Sequence, residues 1–444
     1  DLGIAASAEI DAAAFLDGYV IDRPLSARGA LEPLARIGAG GVAGVAPEVM
    51  GIGPIPAVEQ LLRGGVFTGP RARRGAPDDG LGLGVGEGGE GAEARPSQVD
   101  DLAGGALAGL GWWLLRRHSA VPSLTASIAE HRPLARIPLA IDAVLQVLVV
   151  GSGASLGREG APRQLAAVFG DAAIGKWSLT GRDKEILLAC AAGAGLGAVY
   201  SVPLGGALFS ITIMLRSWHP KVVGTALITS SLAVAVAAPV THLEHPLTWP
   251  SGGLSYVFIL LALLIAPLAV AVGIAFERLM AAAKPKVPSA SWLLIPGIAA
   301  AGLLTGICSI WFPELPGNGR SILTVSVDSS LTLSAAAMIL FLKPVLTALF
   351  LRAGAVGGLI TPALATGAAA GSVVTLALNH IAGTDLNIAA VALTCAAGVL
   401  AITQRAPMFA ALFVWELARP PEWMLIVFAV SAFAAHEVWR RTRP

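Results

Sequence analysis

The stretch GSGASLGREGAPRQ, Gly151 to Gln164, follows the apolar run PLAIDAVLQVLVV, Pro138–Val150. The run has the length and composition of a membrane helix, yet it ends in glycines and is followed at once by Arg158 and Glu159. A carboxylate at the bilayer centre costs about 2.5–3.5 kcal/mol on insertion scales. The position therefore calls for an environment that stabilises negative charge. A glycine-rich turn entering a helix supplies one. Its first amides lack intrahelical partners, and the helix start carries about half a positive charge.

The rest of the chain agrees with a membrane setting. Hydrophobic residues make up 55% of the 444 and charged residues 13%, with a mean hydropathy of +0.73. Soluble domains carry about 25% charge, so the expectation is an all-α polytopic membrane protein. A formal net charge of +1 argues against a nucleic-acid partner. Cys190, Cys308 and Cys395 lie in apolar segments without CxxC spacing, so neither metal nor cofactor is expected. The 52 glycines point to closely packed helices or helices broken at membrane depth.

Residues 1–100 read differently. They hold RARR (Arg71–Arg74) and the glycine-rich Gly80–Arg95, with no long apolar run, and are expected to be a poorly ordered leader or an out-of-frame stretch. From Leu102 onward, eleven apolar segments of uneven length follow, from Leu102–Leu115 to Met424–Ala435. Uneven, glycine-interrupted spans are typical of transporters with discontinuous helices. Arg440, Arg441 and Arg443 place the C-terminal end on the cytoplasmic side by the positive-inside rule.

An internal repeat is present. AAGAGLGAVYSVPLGGALF (Ala191–Phe209) and AAGVLAITQRAPMFAALF (Ala396–Phe413) share AAG, a proline and ALF, with Pro203 and Pro407 offset by 204 residues. Pro162 and Pro362 close a second pair of glycine-rich turns at an offset of 200. Two halves are expected, 101–240 and 254–444, with a site at their interface near mid-membrane.

Three turns are candidate anion sites: HSAVPSL (His118–Leu124), GREGAP (Gly157–Pro162) and GGLITP (Gly357–Pro362), whose Leu359 and Ile360 would point amides inward. Glu159, itself an anion, could occupy such a site in place of a transported ion and leave on protonation. The alternative is a hydrated loop in which Glu159 pairs with Arg158 or Arg163.

HSAVP, GREGAP, AAGAGLGAVYSVPLGGALF and GGLITP stand in the order of four motifs of the CLC family of chloride channels and chloride/proton antiporters: GSGxP, GREGP, an AAGAGAGLAAVFNAPLAG-like stretch, and GxFxP. The chain resembles that family from Leu102 to Arg443. The resemblance implies a homodimer in a bacterial inner membrane, each subunit with its own pore built from inverted repeats of tilted helices. It implies chloride and protons as the transported partners. Glu159 matches the gating glutamate, with Gly157, Arg158 and Gly160 forming its turn; Ser119 matches the central anion-binding serine; Leu359 and Ile360 match the anion-binding amides.

Four departures accompany the match. His118 and Ala120 replace the glycines beside the central serine, which leaves Ser123 as an alternative. Ala161 displaces the proline after GREG, a form associated with actinobacterial-type members. The family's inner tyrosine has no counterpart before Pro444; Tyr19, Tyr200 and Tyr256 lie elsewhere. The inner proton-transfer glutamate is replaced by Thr212 or Ile213, which leaves Thr212 and Glu416, nine residues after Pro407, as the positions to weigh on a proton route. Proton-coupled antiport is the first reading; a passive channel and a degenerate, non-transporting relative are the alternatives. An intramembrane hydrolase would need a histidine near Ser155 of GASLG, and that segment has none.

Other polar residues receive structural readings. Trp112 and Trp113 are expected at a membrane interface. Asn318 is read as a turn residue, and Asp142 as a partner of Arg116 or Arg132. Lys343 is read as snorkelling or facing the anion pathway.

Overall fold

The computed structural model describes residues 98–175, 179, 181–241, 256–285, 290–327 and 331–442; the expectation for the leader lies outside them up to residue 97. Fifteen α-helices are present among the described residues, and no named strand. They fall into two series of seven. The first comprises α1 (Gln98–His118), α2 (Leu124–Ala129), α3 (Arg136–Gly151), α4 (Gly160–Ile174), α5 (Gly181–Tyr200), α6 (Pro203–Leu208, continued by a π-turn over Phe209–Met214) and α7 (Pro220–Thr241). After α8 (Val257–Ala283) come α9 (Leu294–Ser309), α10 (Arg320–Val327), α11 (Leu333–Arg352), α12 (Ile360–Ala382), α13 (Ile388–Gln404), α14 (Pro407–Ala418) and α15 (Met424–Thr442).

The same backbone devices recur in both series. Pro203 opens α6 and Pro407 opens α14, each at a position where the missing amide hydrogen is no loss. Two residues before each proline the chain turns through the left-handed region, at Ser201 (φ 54°) and Arg405 (φ 53°). Gly153 (φ 111°) and Gly354 (φ 94°), 201 residues apart, relieve the turns that follow α3 and α11.

Four helices are long and apolar enough to cross a membrane among the described residues: Pro220–Pro239, Val257–Ala283, Leu333–Arg352 and Ile360–Ala382. On α8, Leu260, Leu263 and Leu264 are exposed, while Ala262, Ile265, Ala266 and Ala269 are buried, so one face meets lipid and the other the bundle. Between helices in lipid there is little hydrophobic force, and close approach of small residues replaces it. α12 and α13 meet in this way. A Cβ on Gly367 would lie 2.8 Å from the Cα of Ala396, and one on Gly371 2.7 Å from the Cα of Ala392. α13 is buried along nearly its whole length and forms the centre of the molecule.

Three polar expectations change here. Trp112 is not at an interface; it is 0% exposed, and its indole Nε1 donates to Asp142 Oδ1 at 2.7 Å. Of the two arginines expected beside it, Asp142 forms no ion pair with Arg132, while Arg116 lies near enough to feel its charge. The second Asp142 oxygen accepts from Gln146 Nε2 (2.8 Å) and Gln164 Nε2 (3.0 Å), which ties α1, α3 and α4 together. Lys343 does not snorkel. It is 0% exposed, and its Nζ donates to the carbonyls of Leu315 (2.9 Å) and Gly317 (2.7 Å), holding the loop before α10. Asn318 is a turn residue in that loop, accepting from the Arg320 amide at 3.1 Å.

Removing the Asp142 carboxylate would leave the buried Trp112 indole N–H without its acceptor and take one acceptor from Gln146 and from the half-buried Gln164. Asp142→Ala is expected to destabilise the purified protein by about 2 kcal/mol or more, read as a lowered thermal unfolding midpoint in detergent. Asp142→Asn, which keeps one acceptor, is expected to fall between the variant and the native protein.

Candidate anion site

The site is built where two broken helices begin. After α3 the chain turns at Gly153, whose carbonyl accepts from the Gly317 amide at 2.9 Å. It then bends through Ser155 and Leu156, whose amide donates to the Ala154 carbonyl at 2.7 Å, to reach Gly157. There it meets the segment before α12: Gly157 N donates to Gly358 O, and Gly358 N to Gly157 O, both at 2.8 Å. This two-residue antiparallel bridge sets the starts of α4 and α12 side by side. A Cβ on either Gly157 or Gly358 would fall on the carboxyl group of Glu159, so no larger residue fits at the bridge with that side chain in place.

Glu159 precedes α4, but its side chain does not cap that helix. It crosses to the other series and takes the start of α12. Oε1 accepts from the amides of Ile360 (2.5 Å) and Thr361 (3.4 Å), and Oε2 from the Thr361 hydroxyl (3.1 Å) and the Tyr200 hydroxyl (3.3 Å). Glu159 is 0% exposed. An isolated carboxylate there would be untenable. Charge-assisted hydrogen bonds and the positive end of α12 stabilise it. Arg163 Nε donates to the Glu159 backbone carbonyl at 2.9 Å, and its guanidinium carbon stands 5.0 Å from the Phe209 ring centroid. The carboxylate thus sits in a seat of two backbone amides and two hydroxyls.

The remaining sequence candidates divide. Gly157, Gly160 and Ile360 are part of this group, and Arg158 lies over the Tyr200 ring, its guanidinium carbon 5.2 Å from the centroid. The amides on the carboxylate belong to Ile360 and Thr361, one residue later than Leu359 and Ile360. Leu359 instead precedes α12, and its carbonyl accepts from Ala363 at 3.1 Å. Ser119 ends α1, half-buried, its amide on the Leu115 carbonyl, with no hydrogen bond to the Glu159 group among the described residues. Ser123 is exposed and caps α2 through the Ala126 amide at 3.5 Å.

Neither proton-route position touches Glu159. The Thr212 hydroxyl donates to Leu208 O within its own turn at 2.7 Å. The Glu416 carboxylate accepts from the amides of Leu204 (3.0 Å) and Gly205 (2.6 Å) at the start of α6. Ser155 is buried against Thr347, their hydroxyl oxygens 3.3 Å apart, and no histidine is bonded to it among the described residues.

Two residues at the site are not among the sequence candidates. Tyr200 does not lie on a final helix, where the family resemblance places its inner tyrosine. The signal available was its place at the end of α5, three residues before Pro203, within the best-matched repeat. Thr361 follows the expected pair of amides directly, and a hydroxyl on the first turn of a helix at an anion site could have drawn notice.

Known proteins give the same picture. The voltage gated chloride channel family matches residues 104–437. A ClcB-like chloride channel protein of Ralstonia nicotianae is 29% identical over 344 residues, covering 71% of this chain and 76% of that protein. The voltage-gated ClC-type chloride channel ClcB of Escherichia coli is 30% identical over 292 residues, covering 62% of this chain and 67% of that protein. Among solved structures, a slow cyanobacterial Cl-/H+ antiporter superposes with a TM-score of 0.66 at 20% identity, over 78% of this chain and 84% of that one. A CLC-type fluoride/proton antiporter superposes at 0.57 and 20%, over 78% and 95%. With its two series of helices meeting at paired helix starts, the chain belongs to the voltage gated chloride channel (CLC) family of membrane proteins.

Proposed function

We propose that the protein moves chloride, or an anion of similar size, across a bacterial inner membrane by letting the anion and the Glu159 carboxylate alternate in one seat. The observation that carries this reading is the pair of α12 amides, from Ile360 and Thr361, already holding a buried carboxylate. Protonation neutralises Glu159 and removes its advantage over a free anion for those amides, so the side chain leaves and the anion enters. Deprotonation returns it. Coupling of anion to proton follows from competition for one set of dipoles. No catalytic residue is involved. Ser119, or Ser123 in its place, would receive the anion beyond the seat, with the Leu359 amide, Gly157, Arg158 and Gly160 around its path.

We further propose a homodimer, with the two halves at 101–240 and 254–444 acting as repeats around this seat. Solved neighbours described as a Cl-/H+ antiporter and a fluoride/proton antiporter support coupled exchange. A specific observation favours a passive channel instead: Thr212 bonds back onto its own turn, and Glu416 is held by α6. Neither of these two positions then brings a carboxylate to Glu159.

Chloride efflux from proteoliposomes, with external pH recorded together, separates the readings. Chloride flux with opposing proton movement is expected, and Glu159→Gln is expected to abolish the proton signal while chloride flux persists and loses its pH dependence. Chloride flux without proton movement in the native protein would establish the channel reading. No flux from folded protein would overturn transport altogether and leave the degenerate relative.

Glu416→Gln is expected to leave the proton-to-chloride ratio unchanged and to lower the unfolding midpoint, since it weakens the hold on the Leu204 and Gly205 amides. The loss should be about 1–2 kcal/mol.

A further inference from the structure

Four donors meet the Glu159 carboxylate, and they are of two kinds. The Ile360 and Thr361 amides belong to the backbone and are available to any sequence that starts a helix there. The hydroxyls of Thr361 and Tyr200 are side-chain features of this chain. Tyr200 is moreover held rigidly. Arg158 lies over one face of its ring at 5.2 Å, and the Phe413 ring packs edge-on at a centroid distance of 5.7 Å and an interplanar angle of 74°. The hydroxyl at the far end of that ring has little freedom to point elsewhere.

We propose that the Tyr200 and Thr361 hydroxyls form a latch that holds Glu159 in its seat and sets the pH at which the gate opens. This rests on the reading of Glu159 as the gate. Both are positioning residues. Each hydroxyl donates to the charged carboxylate, and such charge-assisted bonds are roughly twice as strong as neutral ones. The latch therefore favours the seated, ionised gate over the protonated one that leaves. A lower pH is then needed to open it than the amides alone would require.

The charged groups around the latch are few. Arg158 faces it from the turn before α4 and Arg163 from the first turn of α4. Behind the first turn of α12, the Lys343 ammonium on α11 is turned to the Leu315 and Gly317 carbonyls. On α14, which packs Phe413 against Tyr200, Glu416 is turned to the α6 amides. On α3, Gln146 lies against Gly160, and Asp142 one turn away is bonded to Trp112, Gln146 and Gln164. Among the described residues, Tyr200 and Thr361 are the side chains that donate to the Glu159 carboxylate.

The test is chloride efflux from proteoliposomes over a range of external pH, comparing the native protein with Tyr200→Phe. Phenylalanine keeps the ring and its packing, and the family stretch quoted above carries phenylalanine at this place. At 3.3 Å the Tyr200 bond is long, so despite the charge on its acceptor its loss should shift the seated-to-free ratio about fivefold. The expected result is about fivefold faster efflux near neutral pH and a half-maximal pH about 0.7 unit higher, with the same maximal rate at low pH. A structural lesion would lower that maximum instead. In a Glu159→Gln background, Tyr200→Phe should add nothing.

A Tyr200→Phe profile that superposes on the native one, while Glu159→Gln removes the pH dependence, overturns the latch and leaves the gate standing. Glu159→Gln retaining the native pH dependence overturns the gate reading itself. Should Tyr200→Phe fail to yield monodisperse protein, Thr361→Val decides: an upward shift of the half-maximal pH supports the latch, and an unshifted profile overturns it.

Discussion

A carboxylate from one half of the chain satisfies the amides that open a helix in the other half, and the remaining geometry serves that contact. Glu159 reaches Ile360 and Thr361 only because Gly157 and Gly358 exchange two backbone hydrogen bonds and leave no side chain between the loops. Those loops in turn are placed by the turns at Gly153 and Gly354 and by the Lys343 and Gly317 contacts behind them. The contact needs helices that begin inside the protein, so that unpaired amides exist where the Glu159 carboxyl can take them. The cost of breaking the helices is offset locally by the group they bind.

A second acid makes the relation reciprocal. Glu416, on α14 of the later series, accepts from the Leu204 and Gly205 amides that open α6 of the earlier one. The first series gives an acid to the second, and the second gives one to the first. The two differ in what surrounds them. Glu159 meets two side-chain hydroxyls besides amides, whereas the hydrogen bonds to Glu416 come from backbone amides. A carboxylate held only by amides at the end of a short helix has the character of a fixed tie. One held partly by hydroxyls depends on side chains that a single substitution can remove.

Much of this was legible in the residues. The AAG–proline–ALF pattern located the junctions at Pro203 and Pro407, because a proline at a helix start and a left-handed residue before it leave a composition trace. The glycines of GREG and GGLITP marked the loops, since close approach of two backbones excludes side chains. What escaped was orientation. Nothing in the order of residues tells which way the Tyr200 ring turns, or that Trp112 faces inward rather than toward headgroups; both follow from packing between distant helices. The hydrogen-bond partners of Lys343 and Asp142 are illegible for a related reason. A charge in an apolar run suggests an opposite charge or water, and Arg116 does lie near enough to Asp142 to feel its charge, while the hydrogen bonds come from carbonyls, an indole and amides. Neutral dipoles brought together by the fold can satisfy a buried charge, and they leave no signature along the chain.

The separation between Glu159 and its seat has a consequence for how the protein is made. The carboxylate and the Ile360 amide are 201 residues apart, and ribosomes add about 5–20 residues per second. For roughly 10–40 s after Glu159 is synthesised, its partner therefore does not exist. The side chain must spend that interval hydrated or sheltered by the insertion machinery. The first seven helices thus precede the amides that Glu159 takes, and the arrival of α12 is the event that supplies them.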